Sequence, residues 1–200
     1  MTRIKMCGFM RSEDALFAAQ CGATSIGIIA FESSPRFISP ATAWDIYKAL
    51  PPWVSLTVVA PNVEGAKCYP GDTWQLYERS AATEIPPHIK LIQAFRVRAT
   101  DCVSELLENP ENASALLYDA YHPALIGGSG EQLDDGLASR LFTMPSEFPR
   151  ILAGGLTPEN VAEAIKRFRP WGVDVSSGIE STIGKKSNYK IQAFITAAQQ

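Results

Sequence analysis

The 200-residue sequence has only two histidines, His88 and His122, and four scattered cysteines, Cys7, Cys21, Cys68 and Cys102. With no CxxC pair and no tight His/Cys cluster, neither a zinc site nor a disulfide framework is expected. Free thiols in a reducing compartment are the expectation instead. No stretch approaches the roughly twenty apolar residues that span a bilayer. The opening Met1-Thr2-Arg3-Ile4-Lys5 also lacks the apolar run of a signal peptide. A cytoplasmic location with no membrane partner is therefore expected. There is no excess of positive charge either: 18 basic against 21 acidic side chains leave a net charge of −3. That argues against nucleic acid as a partner, while leaving room for one small anion pocket. Nor does a GxGxxG follow an early strand, so a dinucleotide fold loses its main support.

What is present is an ordinary globular composition, 46% hydrophobic and 20% charged. Residues 4–7, 25–31, 55–60, 89–95, 115–119, 150–153 and 173–176 read as strands, several apolar on both faces, as strands covered by helices must be. Between them lie helix signals. Ser39-Pro40 is an N-cap followed by proline at the first helical position, with Ala43, Ile46, Tyr47 and Leu50 as the buried stripe. Thr157-Pro158-Glu159 repeats the device before Val161, Ala164, Ile165 and Phe168. Ser12-Glu13-Asp14 opens a third helix with two acids in its first turn.

Such alternation means a parallel sheet with right-handed crossovers, either open and doubly wound or closed into a barrel. Trp74-Gln75-Leu76, within 73–77, supplies the candidate eighth strand. The glycine-rich turns come late, at Gly127-Gly128-Ser129-Gly130, Gly154-Gly155 and Ser177-Gly178, and the last two follow strands seven and eight, where barrels of this kind bind phosphate. The expected fold is a single α/β (β/α)8 TIM-barrel domain over residues 1–200. Pro61, Pro70, Pro86 and Pro87 interrupt any helix after the third strand. The helix between strands three and four is thus expected to be shortened or missing. Val63, Tyr69 and Trp74 would cover the flank of a monomer, in preference to a second chain in a homodimer.

Cys7 ends the first strand and should face the barrel mouth, with Lys5 on the same inward side. The ammonium should lower the thiol's pKa toward that of a useful base. Asp119 closes the sixth strand after Leu116-Leu117-Tyr118, where poor solvation suits a carboxyl group to general-acid work. Strand parity sets Asp174 beside Lys5 once strands one and eight meet, so an ion pair is expected below the mouth. Backbone N–H groups at Gly154, Gly155, Ser177 and Gly178 can cradle phosphate without a basic side chain. Gly178→Val should then weaken binding without unfolding the chain.

Taken together, Lys5-Met6-Cys7-Gly8, Glu13-Asp14-Ala15, residues 34–40 (SPRFISP), Asp119 before the GGSG turn, Ala153-Gly154-Gly155-Leu156 with Pro158-Glu159-Asn160-Val161, and residues 173–180 (VDVSSGIE) with Gly184-Lys185-Lys186 resemble the phosphoribosylanthranilate isomerase family. The resemblance implies an enzyme of tryptophan biosynthesis that performs an Amadori rearrangement on a phosphosugar, without cofactor or metal. By the same resemblance Asp119 is the general acid that opens the ribose ring and Cys7 is the base at C2′. Arg36 meets the anthranilate carboxylate, and the late glycine turns hold the phosphate. The sequence departs from the family in three places. The histidine-glycine that usually follows Gln-Leu is Tyr77-Glu78, the segment after strand three is short, and the phenylalanine-aspartate-tryptophan after GGSG is Leu133-Asp134-Asp135. A related phosphosugar isomerase or lyase with another substrate, and a non-catalytic barrel that binds a phosphorylated metabolite, remain as alternatives.

Overall fold

A computed structural model describes residues 2–106, 112–120 and 133–200. The Gly127–Gly130 turn and His122 lie outside the described residues. Eight parallel strands close into a barrel: β1 (Arg3–Met6), β2 (Ser25–Ile29), β3 (Ser55–Ala60), β4 (Thr73–Leu76), β5 (Lys90–Val97), β6 (Ala113–Ala120), β7 (Arg150–Leu152) and β8 (Gly172–Val175). The barrel seals where β8 pairs with β1, which sets Asp174 opposite Lys5. The closed alternative to a doubly wound sheet is the fold adopted.

Local chemistry explains the covering elements. Helix α1 (Ser12–Cys21) carries Glu13 and Asp14 in its first turn and ends at Gly22, whose φ of 119° only glycine adopts readily. Ser39 caps α2 (Pro40–Ala49) by accepting from the Thr42 N–H, with Pro40 at the first position. After β3 the chain makes only one helical turn, α3 (Val63–Ala66). The flank is closed by the chain itself. Val63 and Tyr69 pack on the core, Trp74 is buried, and the Tyr69 hydroxyl donates to the Ile38 carbonyl at 2.9 Å. A further single turn, α4 (Val103–Leu106), follows β5.

On the other side, Asp134 accepts from the Leu137 N–H and caps α5 (Asp135–Thr143). The helix signalled by Thr157-Pro158 begins as a turn: Asn160 Oδ1 takes the Thr157 N–H, and regular α6 (Val161–Phe168) starts only at Val161. After β8 the sequence forms an unforeseen hairpin, β9 (Glu180–Thr182) and β10 (Lys185–Lys186), before α7 (Asn188–Ala198).

Strand parity divides the buried residues. Ile4, Met6, Ile26, Ile28, Leu56 and Val58 face outward and form the main core with the helices. Ile92, Ala94, Ala115, Leu117, Ile151 and Ala153 fill one side of the barrel interior. Lys5, Thr57, Gln75 and Asp174 are polar and equally buried. The interior is thus packed with charge on one side, which needs an internal partner for every ion.

Candidate active site

Cys7, Arg36, Tyr77, Asp119, Asp174 and Ser176 line one cavity at the carboxyl ends of the strands, together with Ile29, Ser34, Val59 and Gln75. A wider hollow of about 420 Å³ opens at the opposite end. Of the candidate residues only Lys5 borders it, so its size does not mark it as the reacting site. Chemistry in this architecture belongs to the carboxyl end.

Asp119 and Cys7 reach the mouth from opposite sides of the barrel, β6 and the end of β1. The Asp119 carboxyl stands at about 7 instead of its ordinary 3.8: burial is the largest cause, Asp174 adds to it, and Lys5 opposes both. Near neutral pH it is therefore half protonated, as a general acid requires. The Cys7 thiol departs from expectation. Lys5 does pull its pKa down, but burial is the larger effect and Asp174 adds to it, so the thiol stays above its ordinary range. Desolvation outweighs one ammonium because that ammonium is shared: Lys5 Nζ donates to Asp174 Oδ1 at 2.9 Å. Burial alone would lower the lysine's pKa, yet Asp174 and Cys7 raise it, so the ion stays charged.

Glycines make room for these groups. A Cβ on Gly27 of β2 would sit 2.7 Å from Cys7 Sγ and 3.1 Å from its Cα. Gly8, at φ 78°, lets the Arg36 chain lie across it, since a Cβ there would meet Arg36 Cδ at 2.6 Å.

The two late turns are brought against each other. Gly154 and Gly155 have φ of 90° and 61°, and the short 3-10 turn Ser177–Ile179 follows β8 directly. A Cβ on Gly178 would come within 2.0 Å of the Leu156 carbonyl oxygen and 3.2 Å of Thr157 Cα, both backbone. The expectation that Gly178→Val would leave the fold intact is therefore corrected: two main-chain turns must part to admit a side chain. The substitution should destabilise the protein by at least about 2 kcal/mol, read by urea unfolding. An unchanged midpoint would contradict this packing.

Arg36 is buried and already holds a carboxylate. Its Nε and Nη2 donate to Glu180 Oε1 and Oε2, both at 2.8 Å. Lys186 Nζ reaches the same Glu180 Oε1 at 2.9 Å and the Ser176 carbonyl at 3.1 Å. The hydrogen bonds that Arg36 donates to Glu180 raise the guanidinium's pKa. Burial pulls Lys186 down, against the pull of Glu180. For Glu180, burial is outweighed by Arg36 and Lys186, and its pKa falls.

A model of the family described as N-(5′-phosphoribosyl)anthranilate (PRA) isomerase matches residues 4–197. The chain belongs to the phosphoribosylanthranilate isomerase family. The N-(5′-phosphoribosyl)anthranilate isomerase of Pseudomonas fluorescens is 40% identical over 206 residues, which covers 98% of each chain. The crystal structure of the phosphoribosyl anthranilate isomerase of Thermotoga maritima is similar with a TM-score of 0.85 at 33% identity, covering 100% of this chain and 99% of that one. Another phosphoribosyl anthranilate isomerase structure, in complex with reduced 1-(o-carboxyphenylamino)-1-deoxyribulose 5-phosphate, is similar with a TM-score of 0.82 at 32% identity, covering 100% and 99%.

Within this isomerase family, the mouth of the chain gains residues to which sequence reasoning gave no role. Tyr77, in the place of the usual histidine, packs beside Cys7, Ile29 and Val59. Its hydroxyl is held protonated by burial and by the charges of Asp119, Cys7 and Asp174. Glu180 and Lys186 were visible only as parts of longer matching segments, because no periodicity marks a hairpin of three and two residues. Gly27 gave no signal at all: a glycine in a strand reads as a weak spot until the thiol opposite is known.

The raised Asp119 pKa carries a stability consequence. Between about pH 4 and 7 the folded chain holds a proton that the unfolded chain has lost, so stability falls as pH rises through that window. The three-unit displacement corresponds to at most about 4 kcal/mol at pH 8. Asp119→Asn should therefore raise Tm by several degrees at pH 8 and scarcely at pH 4. Equal Tm changes at both pH values would contradict the assignment.

Proposed function

We propose that the chain converts N-(5′-phosphoribosyl)anthranilate to 1-(2-carboxyphenylamino)-1-deoxyribulose 5-phosphate in tryptophan biosynthesis. Asp119 is the general acid and Cys7 the general base. The observation that carries this reading is a carboxyl with its pKa near 7 and a buried thiol lining the same barrel mouth.

The Asp119 proton goes to the furanose ring oxygen as the C1′–O bond breaks. The anilino nitrogen's lone pair forms the C1′=N bond, giving an open-chain Schiff base. Cys7, as thiolate, then removes the C2′ proton. The C2′–H electrons become the C1′=C2′ bond and nitrogen recovers its lone pair. The enolamine then gains a proton at C1′ and loses the one on its C2′ hydroxyl, which leaves the ketone at C2′. Two protons given and two taken return Asp119 and Cys7 to their starting forms, so the product is an isomer and no external oxidant or reductant is used. Gly154, Gly155, Ser177 and Gly178 hold the phosphate through their main-chain groups, and Arg36 meets the anthranilate carboxylate. Lys5 and Asp174 support the pair from below.

Since Asp119 must be protonated and Cys7 ionised, the productive form is the minor one of the two singly protonated forms. The rate should rise with pH up to about 7, stay level, and fall again above the raised thiol pKa. A profile that declines from pH 6 onward would contradict it.

The chain acts as one domain in the cytoplasm. Self-coverage of the flank at 61–73 favours a monomer, and sedimentation at micromolar concentration tests that. Among the described residues no helix is long and apolar enough to cross a membrane. The function is tested by turnover of substrate generated in situ, backed by rescue of a tryptophan auxotroph that lacks this step. Turnover with rescue supports the reading, and failure of both overturns it.

A further inference from the structure

The hairpin β9–β10 has no part in closing the barrel, yet it delivers two buried ions to the mouth. Glu180 opens it and Lys186 closes it, with Gly184 at the tip lying against Met10. The hairpin is held from both sides. Lys190 of α7 donates to the Glu180 carbonyl at 2.8 Å, and the Ser187 N–H donates to Ile179. Lys186 Nζ also lies 5.3 Å from the centre of the Phe9 ring, which fixes its approach. This is a rigid mount for a carboxylate rather than a surface decoration.

A guanidinium has two donor edges. Glu180 occupies the edge formed by Nε and Nη2 with two 2.8 Å bonds, so the plane of the group is set. The other edge, formed by Nη1 and Nη2, faces away from Glu180. A lone Arg36–Glu180 pair would be neutral and would hold little attraction for a further anion. Lys186 changes that balance. With Arg36 and Lys186 each positive and Glu180 negative, the cluster carries one net positive charge. All three side chains are buried, at most 6% exposed, so solvent screens that charge poorly.

We propose that Glu180 and Lys186 determine the enzyme's selectivity for an aromatic carboxylate. Glu180 is a positioning residue that presents the free edge of Arg36 to the mouth. Lys186 is the counter-charge that keeps Glu180 from neutralising it. The proposal rests on the reading that Arg36 meets the substrate carboxylate, and deepens it.

The test measures affinity by calorimetry for two stable ligands: the reduced product analogue bearing the o-carboxyl group, and its phenylamino counterpart without it. An arginine–carboxylate contact contributes roughly 10- to 100-fold in affinity, so the wild type should prefer the first ligand by that factor. In Lys186→Met and in Glu180→Gln the preference should fall at least about fivefold. Affinity for the carboxyl-free ligand should stay within twofold, which shows that fold and phosphate turns are intact. If Glu180→Gln does not fold, Glu180→Asp, which keeps the charge but not the reach, carries the same expectation.

The possible failures can be told apart. A wild type without preference overturns the Arg36 reading itself. A wild type with preference that both variants retain overturns only the role of the hairpin. Tighter binding of the carboxylate by Glu180→Gln also overturns it, since Glu180 would then be a competitor of the substrate and not its aid.

Discussion

Asp119→Asn and Cys7→Ser are each expected to lower kcat by at least about a hundredfold, with KM changed little. A positioned acid or base contributes about 10²–10⁴-fold. Asparagine keeps the shape of the carboxyl group but has no acidic proton to give to a ring oxygen. Serine keeps the size of the thiol, but its hydroxyl is a far weaker base, and the same burial that raises the Cys7 pKa would disfavour an alkoxide still more. Neither side chain belongs to the phosphate turns, so the substrate should still bind. Steady-state kinetics on substrate generated in situ checks both. Turnover within tenfold of wild type in either variant would remove that residue from the chemistry.

Lys5→Met should have the largest effect on stability, about 3–5 kcal/mol, because it removes one partner of a buried ion pair and leaves Asp174 in the barrel interior without it. It should also depress kcat, since Lys5 is the main group drawing the Cys7 pKa down and also one that lowers Asp119's. The two consequences can be separated. Lys5→Met combined with Asp174→Leu replaces the pair by apolar volume and should restore much of the stability. It should not restore turnover, because the ammonium beside the thiol is still missing. Urea unfolding and kinetics on the single and double variants decide the matter. Additive losses of stability would mean that the pair does not act as a unit.

Much of this protein could be read from its sequence because the information is local or periodic. Alternation of apolar runs with capped helices implies the parallel barrel. Pro61 and Pro70 foretell the missing helix between β3 and β4, whose place is taken by the single turn Val63–Ala66, while Pro86 and Pro87 fall after β4. Parity alone sets Lys5 against Asp174 once the barrel closes. What escaped was the outcome of competing effects in three dimensions. The sign of the Cys7 shift depends on burial against a shared ammonium, and the sequence holds the ammonium but not the burial. The Arg36–Glu180 contact joins residues 144 positions apart through a hairpin too short to show a pattern. The intolerance at Gly178 arises from a carbonyl of another loop.

The order of the two proton transfers can be measured directly by trapping the open-chain Schiff base with borohydride during a single turnover. Cys7→Ser should accumulate a trappable imine, because Asp119 still opens the ring while removal of the C2′ proton stalls. Asp119→Asn should yield almost none, because the ring stays closed. Imine trapped in Asp119→Asn as readily as in Cys7→Ser would contradict the assignment of acid and base.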